Sequence, residues 1–228
     1  VFAPDYRNCP QCDAHGMASD VDLSIGWCLE KCEEYGGDRD NVVLVGQSAG
    51  AHLCALVLLR GAVHWRPNDL RGFVGISGPY HVPATAAHWR ARGFGQAMLD
   101  FIFGDEDGML MASPSYLAAR AEDVELPPML LLHGTADKSA TAQSTLDFAA
   151  ALEDLGVDVH TKLYEGWTHT DPILERPFAG DQRLHRDLLE AVSKWCDGPV
   201  ASFSDDTPGL GRLCPQVLIE LGRRCMPF

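Results

Sequence analysis

Nowhere in these 228 residues is there a run of the ~18 consecutive apolar residues that a membrane-spanning helix requires. The chain does not open on a basic segment followed by an apolar one, so nothing at its start reads as a secretory leader. Positive charge is also scarce. The 18 Lys and Arg residues stand against 32 Asp and Glu, giving a formal net charge of −14. No basic patch could dominate such a surface, which argues against a nucleic-acid partner. Internal repeats and low-complexity tracts are absent. The eight cysteines are not the disulfide framework of a small secreted domain, because the chain is too long to need one. Cys28 and Cys32, four apart on a predicted helix, read as core-facing hydrophobes. Cys9 and Cys12, with His15 nearby, fall short of a zinc ligand set, so no metal is expected.

What is present is an alternation. Apolar runs at 42–45, 72–77 and 129–134 are bounded by turn residues, as strands buried on both faces should be. The stretch 157–166 alternates like a further strand, and Val1–Ala3 reads as the end of another. Helical periodicity appears over 17–35, 49–61 and 141–156, and helices are also expected over 181–196 and 213–223. Gly36-Gly37 supplies a stop for the first helix. Strands alternating with helices predict an α/β domain of three layers, with a mostly parallel sheet covered by helices on both faces. The rhythm lapses at about 78–126, which reads as a helical, cap-like insertion in a single domain spanning 1–228. Ser113-Pro114 is a helix start inside it, with serine as the cap and proline at the first helical position.

Gly46-Gln47-Ser48-Ala49-Gly50 lies between a buried strand and a helix. In that context a G-x-S-x-G pentapeptide is a strained turn that projects a serine hydroxyl above the sheet. Both glycines are expected where Cβ atoms would collide. A serine alcohol needs a neighbouring base to become a nucleophile. In the α/β-hydrolase arrangement the acid and then the histidine follow the serine along the chain, each after a later strand. Asp137 follows the strand "MLLLHG", and His169 lies in the loop after the next strand. His64, His81 and His88 precede the acid, His160 is within a strand and His185 on a late helix. His52 and His133 read as structural. Asp171 is too close to His169 along the chain to reach its far ring nitrogen. Ser48, Asp137 and His169 are therefore the candidate triad, with the Ala49 backbone N–H as an oxyanion donor.

The segments "APDYRN", "EYGGD", "VGQSAGAH", "LLHGTAD", "LYEGWTHTDPIL" and the terminal "RLCPQVLIEL…PF" together resemble the isoprenylcysteine methylesterases, α/β-hydrolases that remove a methyl ester from C-terminal prenylcysteine. The resemblance runs along the whole chain, with gaps in the insertion. It implies this same triad, no cofactor, and a lipidated-peptide or small-molecule ester as substrate. It also implies a hydrophobic prenyl pocket. Gln47, Trp89, Met98, Phe101, Phe103, Met109 and Trp167 are the candidate substrate contacts, with ordinary packing of the inserted helices the competing role for any one of them.

The resemblance is incomplete at the N-terminus. Family members carry a glycine-rich oxyanion segment upstream of the "DYRN" strand, preceded by membrane-spanning helices, and this sequence contains neither. The expectation is a sheet with N-terminal strands missing, and an incomplete oxyanion hole. Gly36-Gly37 lies at the wrong end of the nucleophile strand to substitute. Membrane contact would come only through the missing segment, although the family implies endoplasmic reticulum or Golgi membranes. Two alternatives stand beside the methylesterase reading. One is a general carboxylesterase, lipase or arylformamidase-like hydrolase; the other is a hydrolase-fold binding protein of weak or no activity. Oligomeric state is not legible.

Overall fold

The computed structural model describes residues 1–198, 214–215 and 217–219. Four strands form one parallel sheet in the order β1 (Val43–Gln47), β2 (Gly72–Ile76), β3 (Met129–Gly134) and β4 (Val159–Tyr164). The registers Gln47↔Ile76, Ile76↔Leu132 and Leu132↔Lys162 bring the carboxyl ends of the strands to one edge. Every residue of the predicted triad follows such an end, where an open parallel sheet places its ligand crevice.

The first helix, α1 (Ala14–Lys31), starts where Asp13 accepts a hydrogen bond from the Gly16 N–H. A single 3₁₀ turn over Cys32–Tyr35 extends it, and Gly36 ends it at φ 78°. α2 (Ala49–Arg60) follows the serine directly and is buried almost throughout. Helix α1 packs on α2, so Val21, Ile25 and Leu29 share a core with Leu53, Leu56, Phe73 and Leu131. Cys32 is buried there, and Cys28 is partly exposed. On the other sheet face, α9 (Arg183–Trp195) covers Val74, Ile76, Leu130 and Leu132 with Leu184 and Ala191. These two cores make the three predicted layers.

Between β2 and β3 the chain forms α3 (Val82–Ala91), α4 (Gln96–Phe103), α5 (Glu106–Met111) and α6 (Pro114–Ala118). Val82, Ala86, Leu99, Met109 and Ala112 make a small core of their own. α7 (Ala142–Asp154) returns the chain to β4, and the short α8 (Glu175–Phe178) follows the His169 loop.

Three expectations change. Val1–Ala3 is not a strand: residues 1–8 have no regular structure and pair with none of the described strands, a cavity separating Phe2, Ala3 and Tyr6 from the open side of β1. Ser113 occupies the position before α6 but does not cap it. Its Oγ donates to the Met109 carbonyl and accepts from the Val82 N–H, tying α5 to α3. The helix expected over 213–223 lies largely outside the described residues, which show helix at 217–219.

Candidate active site

Ser48 sits between β1 and α2 at φ 53°, ψ −119°, a conformation that costs a non-glycine residue strain of order 1–3 kcal/mol. Two features hold it there. Its N–H donates to the Ile76 carbonyl, and its own carbonyl accepts the first helical bond, from His52. Gly46 makes the approach possible. A Cβ on Gly46 would lie 2.7 Å from both the Cα and the N of Ala51, which are backbone atoms that cannot swing away. Gly50 differs from expectation: a Cβ there would meet nothing within 4 Å. Only one of the two glycines is required by space.

The Ser48 hydroxyl donates to His169 Nε2 at 2.7 Å, and His169 Nδ1–H donates to Asp137 Oδ2 at 2.7 Å. Three loops thus bring the three residues together in one hydrogen-bonded line, with all ring tautomers following from that direction. The other Asp137 oxygen accepts from the Ser139 and Ala140 N–H groups at 2.7 and 3.0 Å. Burial would raise the Asp137 carboxyl. Its contacts with His133 and His169 and the Ala140 N–H outweigh that and hold it well below the usual carboxylate range. It is therefore a charged acceptor at neutral pH.

The loop bearing His169 is fixed on both sides. Asp171 accepts from the N–H and hydroxyl of Thr168 and from Arg176, so this carboxylate organises the loop and does not face the far ring nitrogen. Thr170 donates to the buried Glu175. The Ala136 N–H donates to the Trp167 carbonyl, joining the acid loop to the base loop, and a Cβ on Gly134 would stand 2.2 Å from that same oxygen.

Ala49 begins α2, so its N–H is one of the donors that a helix's first turn leaves without an intrahelical partner. At the end of that helical turn, His52 Nε2–H donates to the Ala112 carbonyl, and burial pushes its imidazole down to about 4. It is a neutral packing residue, as its place in the sequence implied.

The candidate substrate contacts separate into groups. Gln47 reaches the His169 carbonyl at 3.5 Å, beside the triad. Met98 and Phe101 stand exposed on α4, at 46% and 48%. Phe103 and Trp89 stack at 6.4 Å on the core that buries Met109. Trp167 is a correction. It is 0% exposed, stacked on Tyr164 at 4.1 Å with Arg176 and Arg183 over its ring, and has no face left for a substrate. The inserted helices are tied to the acid loop: Trp89 Nε1 donates to the Ser139 carbonyl, and Arg92 and His88 reach that of Lys138. Among the described residues, no group of three or more His, Cys, Asp or Glu is placed to hold a metal ion. No described helix is long and apolar enough to cross a membrane. A cavity along β1, about 650 Å³, is lined by Ala3, Tyr6, Ile25, Val45 and Gln47, on the side of the sheet away from His169's strand.

Residues 1–171 match the family described as alpha/beta hydrolase fold. The chain belongs to that family. Along its full length it is 33% identical to a probable isoprenylcysteine alpha-carbonyl methylesterase of Oryza sativa subsp. japonica, and 30% identical to an isoprenylcysteine alpha-carbonyl methylesterase of Arabidopsis thaliana. It spans 58% and 56% of those two relatives. Over 67% of the chain it is 32% identical to esterase LipQ of Mycobacterium tuberculosis, covering 38% of that protein. The solved structure of an inhibited esterase B from Lactobacillus rhamnosis has the same fold, with a TM-score of 0.70 at 19% identity over 83% of this chain and 65% of the other.

Proposed function

We propose that this protein is a serine hydrolase of carboxylic esters, acting through Ser48, His169 and Asp137. The observation that carries the reading is the unbroken line from Ser48 Oγ to His169 Nε2 and from His169 Nδ1 to Asp137 Oδ2, both steps at 2.7 Å. His169 takes the hydroxyl proton as Oγ attacks the ester carbonyl, and the Asp137 carboxylate holds the imidazole in the required tautomer and balances its charge. We assign to the Ala49 N–H, at the start of α2, the role of stabilising the negative charge that develops on the carbonyl oxygen. His169 then returns its proton to the leaving alcohol. Water repeats the sequence against the acyl-enzyme and releases the acid.

The substrate class we propose is the methyl ester of a prenylated cysteine. The full-length similarity to plant isoprenylcysteine methylesterases supports it, together with apolar side chains in the segment 78–126. We read that segment as a cap. Its ties to Ser139 and Lys138 fasten it beside the acid loop, and Met98 and Phe101 offer exposed apolar surface for a prenyl chain. The similarity to esterase LipQ supports a second reading, a less selective carboxylesterase. Turnover of farnesylcysteine methyl ester against a short p-nitrophenyl ester separates the two: at least a tenfold preference for the former is expected. Covalent capture of Ser48 by a fluorophosphonate tests the hydrolase reading itself. A protein that leaves the probe unreacted would instead be a hydrolase-fold binding protein.

A further inference from the structure

His133 ends β3, is fully buried, and enters no step of the proposed reaction. Its surroundings are nevertheless specific. Nδ1 meets the Thr145 hydroxyl at 2.7 Å, while Nε2 lies 3.0 Å from the Ala140 carbonyl and 3.1 Å from Asp137 Oδ2. An Nε2 that faces two oxygens with no proton of their own must carry the hydrogen, which leaves Nδ1 to accept from Thr145. The N–H points to the Ala140 carbonyl and lies alongside the carboxylate. Oδ2, the oxygen that receives His169, is therefore approached by two imidazoles, one from each side.

We propose that His133 is a positioning residue for the triad: through its Thr145-fixed tautomer it donates its N–H to the Ala140 carbonyl and holds that N–H alongside Asp137 Oδ2, and so sets how tightly Asp137 holds the proton on His169. This rests on the hydrolase reading above. The physical argument is one of competition at a single oxygen. A donor beside Oδ2 stabilises the carboxylate, and a carboxylate that is already partly satisfied holds the His169 proton less strongly. Contacts with both histidines contribute to keeping the Asp137 carboxyl low. Other charged groups around the pair are accounted for. Asp171 is engaged with Arg176 and Thr168, and His88 and Arg92 face the Lys138 carbonyl. No other cation reaches Asp137 among the described ion pairs. His133 also fastens the 137–140 loop, since the same N–H binds the carbonyl of Ala140 while the Ala140 N–H binds Oδ1.

The test is the pH dependence of fluorophosphonate labelling of Ser48, which requires a neutral His169 and no substrate turnover. In His133→Leu the carboxylate loses one donor, so the acid limb is expected to move up by about half to one pH unit. His133→Gln, whose amide N–H can occupy the place of Nε2–H, is expected to leave the limb within about 0.2 unit of the parent. Thr145→Val unlocks the tautomer and keeps the imidazole. It should shift the limb in the same direction by less, and it serves if His133→Leu does not fold. A purely structural His133 would lower the melting temperature and leave the limb of all three variants in place, and that result overturns the proposal. An unlabelled parent protein would overturn the hydrolase reading instead.

Discussion

The two strands that deliver the serine and the acid are built differently. β3, which leads to Asp137, is buried along all six of its residues, between β2 and β4. β1, which leads to Ser48, has one neighbour among the described residues; only its Gly46 is buried, and Val45 is 50% exposed. Precision at the acid comes from enclosure: both sheet faces, two neighbours, and a carboxylate with four nitrogen contacts in reach. At the serine it comes from one ladder, one N–H bond to Ile76 and a glycine pressed on α2. The acid side should therefore carry more of the stability, and the serine side more of the chemistry.

Catalysis offers the largest contrast. Ser48→Ala should lower ester hydrolysis by about 10⁶, whereas Asp137→Asn should cost about 10⁴ because His169 and Ser48 remain, though with the wrong tautomer favoured. Steady-state kinetics with any ester that the parent turns over checks the order; equal losses would break the comparison. For stability the order reverses. Leu131→Ala, in the enclosed strand, should cost about 2–5 kcal/mol in urea unfolding. Val45→Thr, on the open strand, should cost within about 0.5 kcal/mol.

The glycines sharpen the same point on a smaller scale. Gly46→Ala drives a Cβ into the α2 backbone and should destabilise by about 1–3 kcal/mol, with loss of labelling at Ser48. Gly50→Ala enters open space inside a helix and should be neutral or stabilising by up to about 1 kcal/mol. Thermal melts of the two variants give the answer directly.

The smallest effect is a pH effect at the base of the nucleophile helix. The His52 imidazole is depressed to about 4 by burial, while its unfolded value is near 6.5. The unfolded chain thus binds the extra proton first, and stability falls as pH drops from about 6.5 towards 4. His52→Gln should flatten that part of a melting-temperature profile. Asp137 acts with the same sign lower down: its depressed carboxyl stabilises the fold above about pH 4 and the contribution is lost in stronger acid.

The sequence exposes most of this because the chemistry follows strand ends, and strand ends are marked by apolar runs. Ser48, Asp137 and His169 are found by that rule and by their chain order, and the structure brings them within hydrogen-bonding distance. What stays hidden is set by contacts across space. Trp167 looks like a pocket aromatic beside His169 until α8 and α9 bring Arg176 and Arg183 over it. Gly50 looks equivalent to Gly46, but one faces a backbone and the other faces open space. Val1–Ala3 has strand composition but stands off from β1 across a cavity, and Ser113 has cap composition with its hydroxyl engaged elsewhere. The geometry around His133 could not be read either, since Thr145 comes from the next helix.

One bond has a reach beyond its length. Because the Ala136 N–H holds the Trp167 carbonyl, the turns that carry acid and base form a single stitched piece. Inserting or deleting a residue in either would drag its partner out of line. Such a seam leaves this edge of the protein little freedom to be remodelled for a new ester. The segment between β2 and β3 is anchored in the main core by Tyr80 and Ala118, but part of it packs on the smaller core of Val82, Ala86 and Leu99, and there a change of the proposed substrate could be tried without disturbing the line from Ser48 to Asp137.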